Sequence, residues 1–175
     1  TVERHEFEAG GNYDALAHWH EDLELIRVHN GEMCCHVNEQ DFILRAGDIF
    51  FINRRQMHRS YPAGQRACKY TVMLINPKVI SRDHFLYENY INPMLSDEGF
   101  TQRLLSGGLG VAEMCNIFDE LALLEEESPI AWELEAMACI MKLTRRLYLE
   151  YKAEDSENVD YLDPDAVVQR KMVQY

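Results

Sequence analysis

Residues 11–31 read GNYDALAHWHEDLELIRVHNG, and the order of their polar groups decides how the rest of the chain is read. In an extended strand, side chains two residues apart share a face, so His18 and His20 can point together into whatever a sheet encloses while Trp19 turns away. Glu24 follows the short polar break Glu21-Asp22, and a further imidazole, His58, stands behind the turn Ala46-Gly47-Asp48. Imidazoles with a carboxylate are a ligand set for transition metals, and equally a set of hydrogen-bonding groups for a polar ligand or for packing. Asn30-Gly31 closes the stretch as a two-residue hairpin signal, because both turn positions must tolerate positive φ.

Outward from this stretch, a chain of 175 residues holds one domain with a sizeable core, or a core with a packed appendage. Its 47% hydrophobic and 27% charged residues are those of a soluble globular protein, and no apolar run is long enough to span a bilayer. A formal charge of -13 repels a phosphate backbone, so this chain by itself is not expected to bind DNA. The cysteines Cys34, Cys35, Cys68, Cys115 and Cys139 are odd in number and lack CxxC spacing, as expected of buried free thiols in a reducing cytoplasm. Opening on Thr1 suggests a fragment or a processed chain.

Up to about Asn76 the pattern is of short β-rich segments between turn residues. Strands are expected at Glu3 to Glu8, Ala15 to His20, Leu23 to His29, Glu32 to Asn38, Asp41 to Leu44, Asp48 to Ile52, Met57 to Tyr61 and Ala67 to Ile75. The continuously apolar run ending at Ile52 is that of a strand covered on both faces. Short antiparallel strands at this spacing make a sandwich or a small barrel.

Asn76-Pro77 changes the character of the chain, since Asn can cap a helix and Pro suits its first turn; a short helix or turn is expected from Pro77 towards Tyr87. After the glycine-rich 106–110 stretch, Met114, Ile117, Phe118, Leu121 and Leu124 keep helical spacing within Val111 to Glu126. Ser128-Pro129 then introduces a longer helix to about Lys152. That helix carries two apolar stripes, one through Leu134, Met137, Met141, Tyr148 and Tyr151, the other through Ala136, Ile140, Leu143 and Leu147. So broad a surface can pack on the β-domain and still offer a seam to a second subunit. An acidic linker follows, and Asp163-Pro164 opens another helix whose apolar face is cut off at Tyr175.

Gly11, His18, His20, Glu24 and Gly31 resemble the first cupin motif, and Gly47-Asp48 with His58 resembles the second, although Asn53 stands where proline is typical and Arg55 where glycine often stands. The longer stretch HWHEDLELIRVHNGEMCCHVNEQDFILRAGDIFFINRRQMHRS resembles the N-terminal sensing domain of AraC-family transcription regulators. The resemblance implies a mainly β fold with an α appendage: a cupin, jelly-roll-like barrel over 1–92, antiparallel dimerisation helices over 93–153, then a linker and the truncated start of a DNA-binding domain over 154–175. It implies a cytoplasmic homodimer joined through the C-terminal helices, no membrane association, and DNA contact only through the missing C-terminal domain. It further implies that a small effector, a sugar among the candidates, is bound by His18, His20, Glu24, Ile26, His58, Ser60 and Tyr70, with Val28 and Val72 further candidates for the wall. His18, His20, Glu24 and His58 are also the candidate ligands for a divalent transition metal: Zn, Ni, Fe or Mn. The metal and effector readings balance closely, and the survival of every ligand tips the balance towards metal.

The remaining histidines, His5, His29, His36 and His84, lack partners at ligand spacing and read as surface or satisfied core residues. An effector-binding domain, which needs no turnover, is set against a small metal-dependent cupin enzyme, an isomerase or dioxygenase, and against a carbohydrate-binding module. The helices after the barrel favour the first, because an isolated enzyme or binding module has no need of them.

Overall fold

The computed structural model describes residues 1–10 and 16–155; Gly11, Ala15 and the helix expected after Asp163 lie outside them. Among the described residues, eight strands form two antiparallel sheets. The larger contains β1 (Val2–Phe7), β2 (Leu23–Asn30), β5 (Ile49–Ile52), β7 (Cys68–Ile75) and β8 (Gln102–Leu105) in the order β1-β7-β2-β5-β8. The smaller contains β3 (Glu32–Val37), β4 (Gln40–Arg45) and β6 (His58–Pro62) in the order β4-β3-β6. The fold is cupin-like, mainly β with a helical appendage, and among the described residues the ladders do not close into one continuous barrel.

Strand alternation separates two cores. Ile26, Val28, Phe50 and Ile52 of the larger sheet meet Met33, Cys35, Val37 and Leu44 of the smaller, filling the space between them. Leu23, Leu25, Ile49 and Phe51 face the other way, against helices. All four residues of β5 are therefore buried, as its unbroken apolar sequence requires. Burying each such side chain is worth roughly 1.5–3 kcal/mol before conformational entropy is counted. Gly31 meets two demands at the β2–β3 turn: its φ is 79°, and a Cβ there would lie 2.2 Å from the carbonyl oxygen of Ala67.

The helical layer consists of α1 (Pro77–Ile80), α2 (His84–Leu86), a π-helical turn at Tyr87–Ile91, α3 (Asn92–Ser96), α4 (Gly108–Glu127) and α5 (Trp132–Asp155). Asn76 caps α1 as expected, its Oδ1 accepting from the Lys78 N–H at 3.0 Å. The short helix expected from Pro77 ends at Ile80, and Asp83 starts a new turn, accepting from the Leu86 N–H at 2.9 Å. α4 and α5 are antiparallel: Arg146, late in α5, lies against Gly110 at the start of α4, where a Cβ would fall 1.7 Å from the guanidinium.

Two further expectations are corrected. Residues 16–20 are not a strand; only His18 pairs, in an isolated bridge with His58. The carbonyls of Leu16 and Asp22 are taken instead by the rings of His18 and His20, local bonds that compete with a ladder. Conversely Gln102–Leu105, read as part of the helical region, is a strand because β5 has an open edge that it completes.

Candidate metal and effector site

The isolated bridge brings the two histidine-bearing segments together: the His18 N–H donates to the His58 carbonyl at 3.0 Å and the His58 N–H to the His18 carbonyl at 2.9 Å. Glu24 reaches the same point from β2, on the inward face that also carries Ile26. One ligand atom from each of His18, His20, Glu24 and His58 lies within 4.8 Å of the others. The imidazole centroids are 4.4 Å apart for His18 and His58, 5.1 Å for His20 and His58, and 5.8 Å for His18 and His20. Exposure grades across the cluster, from 3% at His58 and 6% at Glu24 to the exposed His18, so the group is a mouth with a buried floor.

Each ring is set by its own backbone acceptor. The Nδ1 atoms of His18, His20 and His58 lie 3.0, 2.9 and 2.9 Å from the carbonyls of Leu16, Asp22 and Gln56. A carbonyl only accepts, so each Nδ1 carries the proton and donates it, which leaves Nε2 as the free ligand atom of a neutral ring. For His20 and His58 that Nε2 points at Glu24 Oε2, at 3.0 and 3.1 Å. Two lone pairs facing one carboxylate oxygen repel unless a proton or a cation lies between them. Backbone acceptors that fix the tautomer are what metal-binding histidines use.

The electrostatics express the same demand. Burial pushes the Glu24 carboxyl up, but where a proton on the Nε2 of His20 or His58 fills the contact in place of a cation, the resulting hydrogen bonds outweigh it and hold it at about 2. His20 is raised above its ordinary value, chiefly by its hydrogen bond to Glu24 and against the opposing effect of burial. The donor set of neutral imidazoles and one ionised carboxylate suits Zn, Ni, Fe or Mn.

The other expected site residues divide. Ile26 is fully buried, two residues along β2 from Glu24, and forms part of the floor. Ser60 lies two residues beyond His58 on β6 and donates to Cys35 Sγ at 3.8 Å, below the cluster. Tyr70 is not brought to the mouth. β2 pairs Glu24 with Leu74 and Val28 with Tyr70, placing Tyr70 roughly 13 Å further along the sheet. There it packs on Phe7 with centroids 4.9 Å apart. Val72, opposite Ile26, is half-buried against the same interior. His29 and His36 find partners elsewhere, in Thr71 at 2.7 Å and Asp41 at 2.7 Å. All five cysteines are free, and only Cys115 is not buried.

Two residues that depart from the motif stand in the segment that joins β5 to His58. Arg55 has φ 63°, the left-handed conformation for which glycine is usual, and its N–H donates to the His20 carbonyl at 2.8 Å. Its Nε donates to both carboxylate oxygens of Glu21, at 2.9 and 3.0 Å. Asn53, 3% exposed, donates through its backbone N–H to the Thr101 carbonyl at 2.8 Å, a bond that proline lacks. Their departure from the motif was legible in the sequence; their contacts were not.

A family model described as the AraC-like ligand binding domain matches residues 7–143. The chain belongs to the AraC-like ligand binding domain family. Among relatives of this AraC-like chain is an uncharacterized HTH-type transcriptional regulator, YdeC, of Bacillus subtilis (strain 168), 24% identical over 128 residues. The match takes in 73% of this chain but 43% of that protein, so the AraC-like chain spans less than half the length of this relative. Among solved structures, unsaturated fatty acid bound ToxT from Vibrio cholerae matches 93% of this chain and 57% of its own, with a TM-score of 0.53 and 11% identity, a likeness of fold. An RmlC-like cupin with a double-stranded β-helix fold from Methanocaldococcus jannaschii overlaps 45% of this chain and 72% of its own at a TM-score of 0.39 and 12% identity. Among the described residues, no helix is long and apolar enough to cross a membrane.

Proposed function

We propose that this chain is the effector-sensing and dimerisation part of a cytoplasmic transcription regulator, and that His18, His20, Glu24 and His58 hold a divalent transition metal beside which a small effector binds. The observation that carries the reading is the common orientation of the imidazoles, each with Nδ1 held by a backbone carbonyl, around one buried carboxylate. A bound cation would supply positive charge and open coordination positions for an oxygen-bearing effector. The chain's own part is to hold the rings in one tautomer, to keep Glu24 ionised, and to offer access from the His18 side.

The effector is small. Ile26, Met33, Leu44, Phe50 and Ile52, all fully buried, fill the space below the cluster and leave the mouth for a sugar or a small acid rather than a long acyl chain. Sensing is favoured over turnover because the polar groups on the floor below the cluster are poorly suited to take a proton: burial pushes the Cys35 thiol up to about 12, and the Ser60 hydroxyl points at it. In this reading residues 1–92 form the effector-binding unit, 93–153 the dimerisation region, and 154–175 the linker and first part of a DNA-binding domain that alone contacts DNA. The dimer seam is supported by the exposed Leu123 and Leu134 on the paired helices and Ile130 between them.

A thermal-shift panel of sugars and small carboxylic acids, with and without Zn²⁺, tests the reading, because a ligand bound only by the folded state raises its melting temperature. A metal-dependent shift by one ligand class is expected; release of a chemically altered product would favour the enzyme. Sedimentation is expected to show a dimer, and a monomer at high concentration would remove the seam.

A further inference from the structure

We infer that Asn53 is the positioning residue through which the state of the histidine–glutamate cluster reaches α5, the last described helix of the chain. The inference rests on the cluster being the sensing site and deepens that reading by naming the route out of it. The segment between β5 and β6, residues 53–57, holds two of the histidines through its backbone: the Arg55 N–H binds the main-chain carbonyl of His20 at 2.8 Å and the Gln56 carbonyl accepts from His58 Nδ1 at 2.9 Å. The same segment is tied to the helical layer by Asn53. Its Nδ2 donates to the carbonyls of Leu95 at 3.3 Å and Phe100 at 3.0 Å, while its Oδ1 accepts from the Arg54 N–H at 2.8 Å.

The side-chain amide thus spends both donors on the region beyond the β-domain and its acceptor on the loop that holds the rings. A buried amide satisfied in this way costs too much to leave unpaired, so loop and helical layer move together. One of these two acceptors, Phe100, has a second role. The Phe100 ring is fully buried between Phe51, 5.2 Å away by centroids, and Tyr151 of α5 at 5.4 Å, edge-on. Tyr151 in turn contacts Tyr148 at 6.1 Å, and Tyr148 meets Tyr90 of the π-helical turn at 5.3 Å. A shift of the His58 loop therefore has a packed, hydrogen-bonded path to an aromatic row on α5, and proline at position 53 would sever its first link.

Hydrogen–deuterium exchange of α5 backbone amides in the chain 1–175, measured without metal, tests the route by a double-mutant comparison. Glu24→Gln, which weakens the hold on His20 and His58, is expected to change α5 exchange by about 2- to 30-fold when Asn53 is present. In an Asn53→Ala background the same substitution is expected to leave α5 unchanged. Should Asn53→Ala fail to fold, Tyr151→Leu, at the far end of the path, is expected to abolish the response in the same way. Equal responses in all backgrounds, or no response of α5 in the first, would overturn the inference. Zn²⁺ titration of the same proteins reports on the metal reading separately, so its failure would leave this result intact.

Discussion

Leu25 and Ile26 are neighbours on β2, both fully buried, and they belong to different machines. Leu25 faces the helices and is part of the core that joins the β-domain to α4 and α5. Ile26 faces the smaller sheet and lies on the same inward row as Glu24, beneath the cluster. A one-residue step along the strand thus separates what joins the β-domain to the helices from what underlies the proposed site. Sites can be placed on a sheet without weakening it, because the alternation that buries one face leaves the end of the other free for polar groups.

The sharpest way to break that comparison is to empty both sides. Leu25→Ala and Ile26→Ala are each expected to cost about 2–5 kcal/mol of folding stability, read by urea unfolding. Only Ile26→Ala should also weaken Zn²⁺ binding, because it alone removes support from beneath Glu24. Equal effects on metal affinity would mean that the two faces are not separate. Glu24→Gln is expected to cost about 1–3 kcal/mol through its weakened charged hydrogen bonds, and more of the metal affinity than of the fold.

Acidity gives a gentler test on the unmutated protein. His20 is raised, so its contribution to stability is complete below its ordinary value of 6.5 and is lost as pH rises through the higher folded value. Glu24 is lowered, so its contribution is complete above its ordinary value of 4.5 and is lost as pH falls towards about 2. Metal-free protein is therefore expected to draw most from the cluster between these ordinary values. Metal affinity should instead climb with pH, as protons leave the rings. Melting curves across pH with and without Zn²⁺ should move in opposite directions above neutrality; parallel curves would argue against a shared site. The smallest effect is expected from Arg55→Gly. It relieves a left-handed backbone at the cost of an exposed ion pair with Glu21, so stability should change by no more than about 1 kcal/mol.

Much of this arrangement was readable in advance, and the unreadable part has physical causes. His18, His20, Glu24 and His58 could be picked out because polar groups that converge on one point impose spacing and parity on the chain. Gly31 could be picked out because its turn excludes a side chain, and the alternation in β2 because burial enforces it. The segment 16–20 misled because its strand-like pattern is overridden by ring-to-carbonyl bonds, which no periodicity records. Gln102–Leu105 carries no strand signature of its own; the open edge of β5, far away in sequence, makes it one. Tyr70 was expected in the wall as a residue of the last strand, and a place on a strand does not say how far along the sheet a residue stands. Asn53 and Arg55 stand out as departures from a motif, and only their partners reveal that Arg55 holds His20 and Asn53 the helical layer.

The most direct test of the cluster as a metal centre is calorimetric titration of chelator-stripped wild-type protein and its Glu24→Gln variant with Zn²⁺ or Ni²⁺. The account predicts one equivalent bound by the wild type, and affinity at least about tenfold weaker in the variant. Binding of only a small fraction of an equivalent by the wild type, or equal affinity in the two proteins, would contradict it.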